Sequence, residues 1–271
     1  MNKKVLALVF SLSIGVFVMG QDKGDSKSFR FGLKASPSLN WYRTDNPKMT
    51  KGGKALGFGW GLITEFKLSE SASLSTGLHL DYDKGEVKFT NDTSYYIGYY
   101  YSKDGKIVEG KTTKDTTMAR YQLDSRKYFI NYITLPAVIK MKTNEIGYLT
   151  YFGQFGFLLS FKTKARSVDG VKEIYPSPSS TPITLGTKEA PLDINKDSQL
   201  VRFQLSIGGG AEYNISGNTS LVFGLNYNRG FTNVLNPTFR SKSNYLVTKD
   251  GSPVPQKAFA DNIALTVGIL F

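Results

Sequence analysis

The chain has 271 residues, with 34 Lys and Arg against 22 Asp and Glu, a formal charge of +12, one His, no Cys, 13% aromatics and 27 Gly. Absent cysteine excludes disulfides and thiolate chemistry, and a single histidine excludes a metal cluster built on histidines. The length fits one large domain or two small ones, and the chain is too aromatic and too weakly charged for disorder.

Residues 1–20 read as a cleaved secretory signal, leaving 21–271 as one domain. Lys3 and Lys4 form the charged start, residues 5–19 an apolar run, and Val18 and Gly20 the small positions before a cut ahead of Gln21. The run is short for a membrane anchor, and polar sequence follows at once. Beyond it no stretch approaches the ~18 apolar residues of a helical span.

What recurs is strict alternation. Phe29, Phe31, Leu33 and Ala35 oppose Arg30, Gly32, Lys34 and Ser36. Leu56, Phe58, Trp60, Leu62, Thr64, Phe66 and Leu68 then oppose Gly57, Gly59, Gly61, Ile63, Glu65 and Lys67. After a tight turn at 69–71, Leu74, Thr76, Leu78, Leu80 and Tyr82 face away from Ser75, Gly77, His79, Asp81 and Asp83. A fourth segment sets Phe129, Ile133, Leu135, Ala137, Ile139 and Met141 against Tyr132, Thr134, Pro136 and Lys140, with Ile130 and Val138 blurring the polar side. A fifth sets Leu149, Tyr151, Phe155, Phe157, Leu159 and Phe161 against Gln154, Gly156, Ser160 and Lys162. The sixth opposes Val201, Phe203, Leu205 and Ile207 to Arg202, Gln204, Ser206, Gly208, Gly210 and Glu212. Leu221, Phe223, Leu225 and Tyr227 mark a seventh, and Ile263, Leu265, Val267, Ile269 and Phe271 an eighth.

Short connections fall near 69–71, 143–147 and 215–219, and long ones near 42–54, 84–126, 163–198 and 232–258. The pattern predicts an all-β fold, an eight-stranded antiparallel transmembrane β-barrel in the cell outer membrane, with both termini in the periplasm and four long outer loops. A soluble barrel or two-sheet sandwich also alternates, but it would crowd every Phe/Leu face into one core and leave the glycines outside. Glycine suits a narrow lumen instead.

Parity assigns to a lumen charge network Arg30, Lys34, Glu65, Lys67, His79, Asp81, Asp83, Lys140, Lys162, Arg202 and Glu212. Both signs are present, which predicts ion pairs filling the barrel rather than a wide pore. Most of the excess charge lies in the long connections, with +3 over 42–54, +2 over 84–126, none over 163–198 and +3 over 232–258. Arg43, Lys48, Lys51, Lys54, Arg240, Lys242, Lys249 and Lys257 are the candidate outer-loop contacts to lipopolysaccharide phosphates. An unspecific solubilising surface is the alternative for these cations. Tyr95, Tyr96, Tyr99, Tyr100 and Tyr101 read either as a partner surface or as a strand extension beyond the membrane. Four prolines, Pro176, Pro178, Pro182 and Pro191, predict irregular structure in the third long loop.

Four segments carry a family likeness. Residues 131–140 (NYITLPAVIK) with the aromatic strand at 148–161 resemble the central hairpin of the Bacteroidetes outer-membrane barrel family typified by PorT. Residues 207–213 (IGGGAEY) resemble its sixth strand, 227–233 (YNRGFTN) the end of its seventh, and 265–271 (LTVGILF) its last. The resemblance implies a non-enzymatic outer-membrane protein, accessory to type IX secretion or envelope assembly, with secretion-system components as partners and no cofactor. It also implies that Leu265, Val267, Ile269 and Phe271 form the insertion signal read by the barrel-assembly machinery, although Phe271 also fits an interfacial aromatic belt.

The alternatives are a surface-binding barrel whose loops engage lipopolysaccharide, a ligand or a host partner, and a lipid A-modifying hydrolase. A serine mechanism needs a base, and His79 is the sole candidate. A lone histidine among polar lumen groups is more often a hydrogen-bonded network member than a catalyst. An exported chain has no evident route to nucleic acid, so the basic charge points to the membrane surface.

Overall fold

The computed structural model describes residues 28–45, 49–89, 95–97, 99–101, 107–109, 120–175, 178–179, 181, 183–187, 190–217, 219–236, 246–248 and 256–271. The candidate signal at 1–20 lies outside them.

Alternation gives each segment one face for lipid and one for the lumen, and eight antiparallel strands realise it among the described residues. They are β1 Phe29–Thr44, β2 Ala55–Lys67, β3 Ala72–Phe89, β4 Arg120–Lys142, β5 Leu149–Tyr175, β6 Val201–Ser216, β7 Thr219–Gly230 and β8 Ala258–Leu270. Each pairs with its chain neighbour, and β8 returns to β1 from Gly32↔Leu270 to Thr44↔Ala258. Closure leaves no row of unpaired N–H and C=O groups to face hydrocarbon.

The outward face is a continuous apolar band of a kind soluble monomers rarely expose: Leu225 is 57% exposed, Phe155 49% and Trp60 47%. Aromatic rings mark both rims of this band. Trp41 stacks near Tyr227 at the long-loop end (6.3 Å between centroids), while Phe31 meets Phe271 (5.6 Å) and Tyr148 meets Tyr213 (6.1 Å) at the short-turn end.

Two close approaches explain lumen glycines. Gly77 has φ +149°, and an added Cβ would stand 2.0 Å from the Leu62 carbonyl oxygen. At Gly210 the added Cβ would stand 1.9 Å from the Phe223 carbonyl oxygen. Gly77→Ala is therefore expected to cost about 1–3 kcal/mol, read as a lower urea midpoint for the heat-modifiable folded band in detergent; an unchanged midpoint would count against this packing.

The strands run further than alternation alone suggested. β4 has 23 residues and β5 has 27, against the ~9–11 that a spanning strand needs. The connections expected at 84–126 and 163–198 are thus shorter, because β3 continues to Phe89, β4 begins at Arg120 and β5 ends at Tyr175. The reason is a reversal of polarity. Below the row Tyr82, Asn131 and Lys164 the lumen is polar and the outside apolar. Above it Lys84, Lys88, Lys127 and Arg166 point outward, while Val87, Leu123, Tyr128, Ile130, Ala165 and Val171 are buried inside.

This upper half has a core like that of a water-soluble protein. The short strands Met49–Lys51, Ile183–Leu185 and Leu192–Asp193 pair onto β3 and β5. They bring Met49, Leu185 and Ile194 into the same cluster, which Val234 and Leu235 complete. Tyr42 meets Tyr128 edge-on at 5.4 Å. The backbone of Tyr95–Ile97 pairs with Leu246–Thr248, and that of Tyr99–Tyr101 with Ile107–Glu109. The side chains of this tyrosine cluster lie outside the described residues.

Candidate functional site: the filled lumen and its cap

The lumen is organised in layers. Nearest the short turns, five charged side chains from four strands converge. Arg30 Nη2 donates to Glu65 Oε2 (2.6 Å) and to Glu212 Oε2 (2.8 Å). Lys140 Nζ lies 2.5 Å from Glu65 Oε1 and 2.5 Å from Glu212 Oε1. Lys142 Nζ donates to Glu65 Oε2 (2.7 Å) and lies 2.8 Å from Glu212 Oε1. Each carboxylate thus serves three cations, as low-dielectric burial demands. Lys142 was missed from the sequence, although it shares the parity of Lys140 and stands on the same face of β4.

Directly above, Phe152, Ile63, Val222 and Leu270 form a small apolar layer, with the Lys140 ammonium 4.1 Å from the Phe152 ring centre. Over this layer lies a cavity of about 100 Å³, bounded below by Lys140 and Phe152 and above by Asp83 and Arg202. Gln154 Nε2 donates to Asn226 Oδ1 (2.5 Å), and Asn226 Nδ2 to Thr266 Oγ1 (3.2 Å), tying its wall together. Lys34 and His79 line it too, and His79 Nε2 is buried without a hydrogen-bond partner.

The next layer centres on Arg202, 2% exposed. Its Nη1 donates to Asp83 Oδ2 and its Nη2 to Ser160 Oγ (3.2 Å), and the guanidinium lies 3.9 Å from the Tyr132 ring centre. Asp81 accepts from Thr134 Oγ1 (2.5 Å), and Asn40 Nδ2 donates to Asp83 Oδ1 (3.4 Å). Lys162, though its parity is inward, binds the carbonyls of Asn195 (2.5 Å) and Ser198 (2.6 Å) and so anchors the segment leading into β6. Lys67 stands exposed at the short-turn rim.

Inside the upper core Arg126 forms a fork with Asp169, Nε to Oδ1 at 2.8 Å and Nη2 to Oδ2 at 2.6 Å, both side chains buried. Asp197 approaches the same guanidinium at 3.9 Å, and burial pushes its carboxyl above the ordinary carboxylate range.

The loop cations have varied settings. Arg43 pairs with Asp261 (3.2 Å) and lies over Phe259 (4.8 Å). Lys257 pairs with Asp45 (2.5 Å), and that hydrogen bond holds the Asp45 carboxyl below its usual range. Lys54 lies over Trp41 (5.5 Å), and Lys51 is exposed. Lys48, Arg240, Lys242 and Lys249 lie outside the described residues. Leu265, Val267 and Ile269 face outward on β8, and Phe271 is pinned to Phe31 by a backbone N–H to O bond of 2.7 Å.

No group of three His, Cys, Asp or Glu among the described residues has metal-ligating geometry. Among the described residues no helix is long and apolar enough to cross a membrane.

No curated protein matches the chain in sequence. Among solved structures it is similar to Neisserial surface protein A (12% identity, TM-score 0.37, covering 92% of this chain and 98% of that one). It is also similar to Ail, the attachment invasion locus protein of Yersinia pestis (10%, TM-score 0.33, covering 89% and 98%). A third likeness is to the outer membrane protease OmpT of Escherichia coli (11%, TM-score 0.33, covering 93% and 98%). At such identities and TM-scores these likenesses assign no function. The family model described as "Outer membrane protein beta-barrel domain" matches residues 19–236, most of the closed ring. The chain belongs to that family of outer-membrane barrels.

Proposed function

We propose that the protein is a non-enzymatic, non-conducting outer-membrane barrel that holds a folded extramembrane module at the cell surface, with its long-loop end outside and export directed by residues 1–20. The observation carrying this reading is the double filling of the barrel. The Arg30, Glu65, Glu212, Lys140 and Lys142 cluster with the Phe152 layer occupies one end, and the apolar core around Tyr128 and Val171 occupies the other. An eight-stranded lumen has room for side chains and little else. Reconstituted into planar bilayers, the protein is expected to give no steady ion conductance; stable open-channel steps would overturn the reading.

The His79 setting supports a structural rather than catalytic role. Its buried ring faces the lumen cavity of about 100 Å³, with no hydroxyl bonded to Nε2. In this reading Leu265, Val267, Ile269 and Phe271 also serve as the contact to the assembly machinery.

The finer assignment follows the PorT-type resemblance of β4 to β8: the module serves type IX protein secretion or envelope assembly, with secretion components as partners. Deleting the gene is expected to reduce secretion of that pathway's cargo, and normal secretion would remove this assignment while leaving the barrel reading intact. A second reading, lipopolysaccharide binding by loop cations, is favoured by exposed Lys51 and by Lys54 beside the aromatic rim.

A further inference from the structure

The outer wall carries a cationic cluster that the loop assignment does not include. Lys84, Phe129 and Arg166 stand side by side on β3, β4 and β5, through the registers Lys84↔Phe129 and Phe129↔Arg166. Lys127 lies one outward step above Phe129, and Lys164 one outward step below Arg166. With strands ~4.8 Å apart and outward steps of ~6.6 Å, four flexible cationic arms surround one partly buried phenyl ring.

Nearby acids are engaged elsewhere. Glu86, opposite Lys127, turns its Oε2 to the Gly53 N–H (3.1 Å). Asp193, opposite Arg166, accepts from the Asn195 N–H through Oδ1 (2.8 Å). Asp124 pairs with Lys172 at 3.4 Å. Among the described residues none of the four cations lies within 4.0 Å of a carboxylate, and Arg166 Nε is buried without a hydrogen-bond partner. By contrast, Arg43 and Lys257 near the β1–β8 seam are already paired with acids.

Height selects the occupant. Tyr82 and Phe161, just beneath the cluster, belong to the lipid-facing band, being 40% and 36% exposed. A ligand held here has its acyl chains against Leu80, Ile133 and Phe161 and its anionic group at the level of the four cations. We infer that Lys84, Lys127, Lys164 and Arg166 form a wall site for the phosphate of a phosphorylated outer-leaflet glycolipid, seated against the β3–β5 face. This rests on the proposed orientation, with the long-loop end outside.

The test is binding of purified lipid A to the full-length folded protein in detergent, with enzymatically dephosphorylated lipid A and inorganic phosphate as the other probes. The expected result is at least tenfold weaker binding by the K84Q/K127Q/K164Q/R166Q variant and at least tenfold weaker binding of dephosphorylated lipid A. Millimolar inorganic phosphate should not compete, and a K67Q control at the short-turn rim should bind like the parent. Equal binding by the quadruple variant, with its heat-modifiable migration retained, overturns the site; so does equal binding of dephosphorylated lipid or full competition by free phosphate. If the quadruple variant does not fold, the pairs K84Q/K127Q and K164Q/R166Q carry the same test, each expected to lose at least threefold. Protease accessibility of the loops on intact cells tests the orientation separately.

Discussion

Glu65→Gln is expected to lower the stability of the folded barrel by about 3 kcal/mol, because it leaves three lumen cations sharing one carboxylate. Arg30, Lys140 and Lys142 all bond to Glu65 within 2.7 Å, and Glu212 alone cannot neutralise them. The measurement is the urea midpoint of the heat-modifiable band in detergent or vesicles. The double variant E65Q/K140Q should recover part of the loss, since it removes one of the stranded cations along with its partner; a coupling of at least about 1 kcal/mol is expected for groups in direct contact. A Glu65→Gln midpoint matching the parent would show that water reaching the partly open Arg30 and Lys142 ends already screens the cluster.

Arg126→Leu acts at the other end and on a different unit. It removes the guanidinium fork from the fully buried Asp169 carboxylate, a loss of about 3–5 kcal/mol. The damage should stay above the membrane, because the lipid-embedded strands keep every backbone partner. Limited proteolysis is expected to cut within 176–200 far faster than in the parent, while the spanning barrel still migrates as a folded species. R126L/D169L should restore much of the protection, since matched apolar side chains often replace a buried pair at little cost. Proteolysis unchanged in the single variant would show that the fork contributes no stability.

Much of this architecture was readable from alternation. Strand number, the direction of each face and the short turns all follow from residues such as Leu56 to Leu68, where apolar and small residues exchange without a break. The upper half was hidden because the same rule reverses there. Ala165, Ser167, Asp169 and Val171 point inward on the parity opposite to Ser160 and Lys162, and their neighbours Lys164 and Arg166 are charged, so the segment looked like loop. Irregular pairing between Asn131 and Tyr132 adds to the concealment, since Lys162 and Lys164 then sit opposite adjacent residues.

The lumen groups were legible one by one but not as pairs. Parity placed Arg202 and Asp83 inside; their contact joins positions 119 apart in sequence, and only the closed ring sets that meeting. Arg30 with Glu212 spans 182 positions for the same reason. Phe152 escaped because it breaks the polar run on its face, and its use as a seal depends on three residues from other strands.

The abrupt change of face at Tyr82, Asn131 and Lys164 also fixes how deep the molecule rides. Sinking by one row would draw Lys84, Lys127 and Arg166 toward hydrocarbon, and rising by one would lift the Leu80, Ile133 and Phe161 row into water. For each cation the first move costs up to about 1 kcal/mol near the interface and about 2–4 kcal/mol toward the midplane. A barrel with a gradual transition could slide along the bilayer normal to suit local thickness; this one is held at a single height, so a thicker or thinner membrane must deform around it.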